Sequence, residues 1–152
     1  MCQNLWPDEL KILVVDDHQE VLNLIRLSLE PAGFRVLRTT KPEEGLSLAL
    51  IEEPDLLILD IMMPGMDGFE LLRRVRRHPN LKDVPVIIVS ARANTVDEQR
   101  MLQLNLPAEE VIDAYLGKPI APGFLLHTVK EVLVKHKEYL LEKNRTSEDV
   151  WV

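Results

Sequence analysis

A single cysteine, Cys2, stands in the 152-residue chain. Without a second thiol no intramolecular disulfide can form, so a reducing, cytoplasmic setting is expected. Long apolar runs are missing as well, which argues against a membrane-spanning helix and against a membrane partner. The N-terminus lacks a signal peptide's apolar stretch, because Asp8, Glu9 and Lys11 interrupt it early. Nor is there a basic excess: 18 lysines and arginines face 25 acids, a formal net charge of −7. That balance argues against direct nucleic-acid binding. What remains is 46% hydrophobic and 28% charged, an ordinary globular composition without repeats or low-complexity segments. The length suits one self-sufficient core and leaves no room for a second folded module of normal size.

Three short runs are continuously apolar and rich in β-branched residues: Ile12-Leu13-Val14-Val15, Leu56-Leu57-Ile58-Leu59 and Val86-Ile87-Ile88-Val89. They fit strands buried on both faces of a parallel sheet. Phe34-Arg35-Val36-Leu37-Arg38 alternates and suits a strand nearer an edge, while Ala114-Tyr115-Leu116 is a weaker fifth. Between the runs the period becomes helical. Residues 18–30 place Val21, Leu22, Ile25 and Leu29 on one face, with Gly33 as the cap. Thr40-Lys41-Pro42-Glu43 reads as a capping box opening a helix that has ended by Pro54. Asp67-Gly68 opens a third helix with Phe69, Leu72 and Val75 as its apolar stripe. A fourth is expected from Thr95 to Leu106, and a long last one from Pro122-Gly123 to about Lys143. Strand alternating with helix predicts an α/β, doubly wound, five-stranded parallel sheet with helices on both faces.

In such a sheet the C-terminal strand ends share one edge, where ligands bind. Asp16-Asp17 follow the first run, Asp60 the third and Ser90-Ala91 the fourth, while the fifth leads to Lys118-Pro119. These residues should therefore converge. Three carboxylates within about 6 Å repel by several kcal/mol unless protons or a cation intervene. An all-oxygen acidic site favours a hard divalent ion, Mg2+ foremost. The lysine calls for an anionic group as well, and a phosphoryl group on one carboxylate meets both demands.

The runs Leu13-Val14-Val15-Asp16-Asp17, Leu59-Asp60-Ile61-Met62-Met63-Pro64-Gly65-Met66-Asp67-Gly68, Ser90-Ala91 and Tyr115-Leu116-Gly117-Lys118-Pro119 resemble the receiver domain of two-component response regulators. The resemblance covers roughly residues 10–135 and implies a flavodoxin-like strand order of 2-1-3-4-5. It implies that Asp60 is the phosphoacceptor. Asp16, Asp17 and Asp60, with the backbone carbonyl of Met62, would hold Mg2+. Ser90 would be the switch hydroxyl, Lys118 the phosphate-pairing lysine and Tyr115 the aromatic switch. Pro119 matches a proline whose preceding bond is often cis. Met62 and Arg92 occupy the positions that tune the lifetime of the acyl phosphate. The implied partners are a histidine kinase or histidine phosphotransfer protein and a downstream effector or second copy. Signalling would run through the fourth helix, fifth strand and fifth helix. On this reading residues 1–9 are a tail, 10–135 the receiver domain and 136–152 a helix extension and tail. The protein is then a switch rather than a turnover enzyme.

The stretch from Ser90 to Lys118 departs from the family in being several residues longer, with Leu104-Asn105-Leu106-Pro107-Ala108-Glu109-Glu110 in place of a short turn. Plainer readings compete at several points. Asp16-Asp17 could cap the first helix, and Asp67 is read as a cap only. Arg73, Arg74, Arg76, Arg77 and His78 read as a solvated helix face. Scattered His18, His127 and His136 argue against a histidine metal site, and Met62, Met63 and Met66 read as packing. Beyond Lys135 the extension reads either as a dimerising helix or linker, or as a surface helix fraying into a disordered tail from Asn144 to Val152. Two other functions compete with the switch. A haloacid-dehalogenase-type phosphatase would want a second acid two residues past Asp60, where Met62 stands. An interaction module that has lost phosphorylation would not need the full residue set.

Overall fold

The computed structural model describes residues 10–91 and 112–149, with side chains described through residue 144. The apolar runs become β1 (Lys11–Val15), β3 (Leu56–Asp60) and β4 (Val86–Ser90), the last two buried at every position. β2 (Arg35–Thr39) and β5 (Ala114–Gly117) complete one parallel sheet in the order β2-β1-β3-β4-β5. The alternating β2 lies at an edge, as its half-polar pattern predicts.

Successive side chains on a strand point to opposite faces, so each buried run feeds two cores. Ile12, Val14, Ile58 and Val89 face α1 (Gln19–Leu29) and the terminal helix α4 (Pro122–Asp149). Leu13, Leu57, Leu59 and Ile88 face the other way, toward Ala49 of α2 (Pro42–Glu52) and Leu72 and Val75 of α3 (Gly68–Arg76). Each fully buried leucine contributes about 2 kcal/mol, so the continuous runs fix the register. The chain reverses its winding between β1 and β3, and that switch point opens a crevice at their C-terminal ends.

The local signals come out unevenly. α1 buries Leu22, Ile25 and Leu29, then tightens into a 3-10 turn that Gly33 closes at φ 100°. Asp67 caps α3, its side chain accepting the Glu70 N–H at 2.8 Å. The capping box at Thr40 does not form. Proline prefers the first helical position, so Pro42 makes Lys41 the cap, and Lys41 has no side-chain cap bond. Thr40 thus sits one residue too early.

The arginine cluster also needs correction. Arg76 is buried and donates to the carbonyls of Lys82 and Val84, satisfying the turn before β4 rather than facing solvent. The terminal helix continues to Asp149, past the expected end at Lys143. The expected fourth helix, Arg92, residues 104–111 of the lengthened stretch and the 1–9 tail lie outside the described residues. Among the described residues, no helix is long and apolar enough to cross a membrane.

Candidate functional site

Each buried run delivers a polar residue to the crevice because the run ends where the sheet meets solvent. Asp60 is the last residue of β3 and only 3% exposed. Its Oδ1 accepts the Met62 N–H at 3.1 Å, and its Oδ2 lies 3.3 Å from Lys118 Nζ. Asp16 follows β1 and is 1% exposed, with its N–H on the Thr39 carbonyl of the neighbouring strand. Its Oδ1 accepts the His18 N–H at 2.9 Å, but the cap of α1 is His18 itself, without a side-chain cap bond, so the helix-capping reading of Asp16-Asp17 gives way to the site. Lys118 Nζ lies 2.8 Å from Asp16 Oδ2 as well. The lysine therefore bridges two acids from different strands.

Backbone contacts hold these groups in place. The Lys118 N–H donates to the Ser90 carbonyl at 2.9 Å, extending the β4–β5 pairing past its end. The next peptide bond, Lys118–Pro119, is cis, as the family pattern implied. On the other side, the Gly68 N–H reaches the Ile61 carbonyl at 2.9 Å. A Cβ on Gly68 would collide with the Asp60 carbonyl oxygen, so glycine is what lets α3 start against the end of β3. Reading Gly68 only as part of a helix start missed this. The Asp67-Gly68 pair eight residues past the apolar run was its only signal.

Electrostatics oppose the bare cluster. Burial, and then the charge of Asp16, hold the Asp60 carboxyl above its ordinary pKa, while the Met62 N–H and Lys118 pull it down. For Lys118 burial is the largest influence and lowers its pKa. The hydrogen bonds and charges of Asp16 and Asp60 outweigh burial and hold the ammonium above its usual value. One lysine still faces three carboxyl groups. Asp16 Oδ2 and Asp17 Oδ1 are buried without an aligned hydrogen-bond donor. Ligand atoms of Asp16, Asp17, His18 and Asp60 all lie within 4.8 Å of one another. The carboxylates of this set, hard oxygens with unspent lone pairs on Asp16 and Asp17, fit a divalent cation.

The structure thus brings Asp16, Asp17, Asp60 and Lys118 together. Ser90, fully buried, ends β4 at the same edge, one residue past the partner of Asp60. Tyr115 is buried within β5 in the core shared with Met63 and Ile88, two strands away from β3 and Asp60. Met62 is exposed, its N–H turned to Asp60. His18 is the addition. The histidines stay apart from one another, but the ring nitrogen Nδ1 of this one lies 3.0 Å from Asp17 Oδ1.

Known proteins resemble this chain over most of its length. The transcriptional regulatory protein GltR of Pseudomonas aeruginosa is 38% identical over 122 residues, 80% of this chain and 48% of that protein. The alkaline phosphatase synthesis transcriptional regulatory protein PhoP of Bacillus subtilis is 34% identical over 123 residues, 81% and 48% respectively. The chain spans about half the length of these curated relatives. Among solved structures, a CheY-like response regulator receiver domain protein from Methanospirillum hungatei superposes with a TM-score of 0.74 at 28% identity, covering 88% of this chain and 99% of that one. The chemotaxis response regulator CheY4 of Vibrio cholerae gives 0.72 at 27% identity, with 82% and 98% covered. Residues 12–130 match the response regulator receiver domain, and the chain belongs to that family.

Proposed function

We propose that this receiver domain is a cytoplasmic signalling switch thrown by phosphoryl transfer to Asp60. The observation that carries the reading is the placement of Asp60, buried at the end of β3 with Lys118 Nζ 3.3 Å away and Asp16 beyond it. A histidine kinase or histidine phosphotransfer protein supplies the phosphoryl group. An Asp60 carboxylate oxygen forms the new bond to phosphorus as the bond to the donor's imidazole nitrogen breaks. Asp16, Asp17, Asp60 and the Met62 carbonyl would hold Mg2+, which when bound neutralises charge on the phosphoryl oxygens. Lys118 leaves its pairing with the bare carboxylate to bind a phosphoryl oxygen from the other side.

Ser90 then offers its hydroxyl to the phosphoryl group, and Tyr115 follows it as the switch on β5. Met62 and Arg92 are the positions the family reading assigns to tuning the lifetime of the acyl phosphate. The readout runs through β5 and the terminal helix, which meet an effector or a second copy. Residues 10–135 make up the working unit, with 1–9 a tail and 136–152 an extension. Phosphorylation biases two preexisting arrangements rather than building a new fold.

Beryllofluoride, a phosphoryl mimic, tests this reading through backbone NMR of the full chain. With Mg2+ present it should shift resonances from the end of β4 through β5, and the Asp60→Asn variant should not respond. An unresponsive wild type would refute the assignment.

A further inference from the structure

His18 is the group beside the acidic cluster whose chemistry the phosphoryl switch leaves unused. Its backbone caps α1, yet its side chain makes no cap hydrogen bond. The ring is 64% exposed, so it fills no core space. Instead Nδ1 lies 3.0 Å from Asp17 Oδ1 and 3.3 Å from Asp16 Oδ1. Neighbouring ligands of an octahedral ion with bonds of about 2.1 Å sit about 3.0 Å apart. The imidazole nitrogen is thus already spaced as one more ligand beside the carboxylates. Asp17 Oδ1, the oxygen it faces, is buried without an aligned donor.

We propose that His18 Nδ1 is a ligand of the bound cation and makes this site prefer a nitrogen-accepting first-row ion, Mn2+ foremost, over Mg2+. The inference rests on the metal-dependent reading above and sharpens it. Mg2+ is a hard ion that favours oxygen and keeps its waters, whereas imidazole bonds well to divalent first-row metals. Adding one imidazole to three carboxylates therefore gains more for Mn2+ than for Mg2+. The simpler alternative is that Nδ1–H donates to Asp16 Oδ1, 3.3 Å away, and only orients the carboxylate. That role would serve both ions alike.

The two roles separate in the His18→Asn variant of the full chain. Asparagine is a favourable N-cap and its amide can still donate to Asp16, so fold and orientation are kept. Calorimetric titrations with MgCl2 and with MnCl2 should show the Mn2+ affinity falling by about tenfold or more, and the Mg2+ affinity falling severalfold less than that. Electron spin-echo spectra of wild-type Mn2+ complex should carry modulation from a directly bound nitrogen, lost in the variant. Equal loss for both ions, or no nitrogen modulation in the wild type, overturns this inference and leaves the phosphoacceptor reading standing. A wild type that binds neither ion overturns both.

Discussion

Asp60 carries a charge that its surroundings discourage. It is buried, and Asp16 stands close enough to raise its pKa further. Replacing it by asparagine removes the charge but keeps the shape and an acceptor for the Met62 N–H. In EDTA at neutral pH, Asp60→Asn should stabilise the fold by about 1 kcal/mol. Thermal melts check the direction. Millimolar Mg2+ should shrink or reverse the difference, because the ion binds the native wild-type cluster more tightly and stabilises it by mass action. A less stable variant in EDTA would show that Lys118 already compensates the charge. At this scale the sequence was most legible where an acid follows an apolar run, since burial then demands a partner. Asp16 and Asp60 were placed that way, and Lys118 through the weaker strand that precedes it. His18 was not, because nothing in its position beside Asp17 says which way an exposed ring turns. Arg76 was misread for a related reason: its helical spacing shows a polar stripe, but not the loop carbonyls of Lys82 and Val84 that need a donor.

Elements join the cluster through close approaches that tolerate little change. Gly68→Ala would push the start of α3 away from the Asp60 backbone, at a cost of about 1–3 kcal/mol. Denaturant melts should show that loss, and a Mg2+ titration should show weaker binding, since Asp60 shifts with its carbonyl. Retained Mg2+ affinity would mean that α3 yields instead.

The terminal helix makes a separate prediction through His136. Burial lowers its pKa below the ordinary 6.5, and Arg76 adds to this, although Asp113, Asp83 and Asp55 pull upward. Between the depressed folded value and 6.5 the native state therefore binds fewer protons than the unfolded chain. Stability should be fully present above about pH 6.5 and fall as the pH drops through that window. Unfolding curves of wild type and His136→Gln across this range test the sign, and the variant should lose that part of the slope. Strands were legible within one residue at either end because continuous apolar runs have one burial solution. Helix starts were less so: proline and threonine compete as markers before α2, and the proline's fixed φ decided the matter.

For the molecule as a whole, the net charge of −7 takes on a local meaning: three of its acids meet at one edge of the sheet, opposed there by Lys118. The fold was legible from the alternation of runs and helical stripes, and the strand order from the family resemblance. The extension was only half legible. Its spacing announced a long helix, but its balanced charges did not fix where it ends, and it continues to Asp149. The central claim is that all this architecture serves a single phosphoryl group on Asp60. Intact mass spectrometry of the full chain after exposure to acetyl phosphate tests it most directly. The wild type should gain the mass of one phosphoryl group with Mg2+, none in EDTA, and Asp60→Asn should gain none in either condition. A wild type that stays unmodified, or a variant modified equally well, would contradict the account.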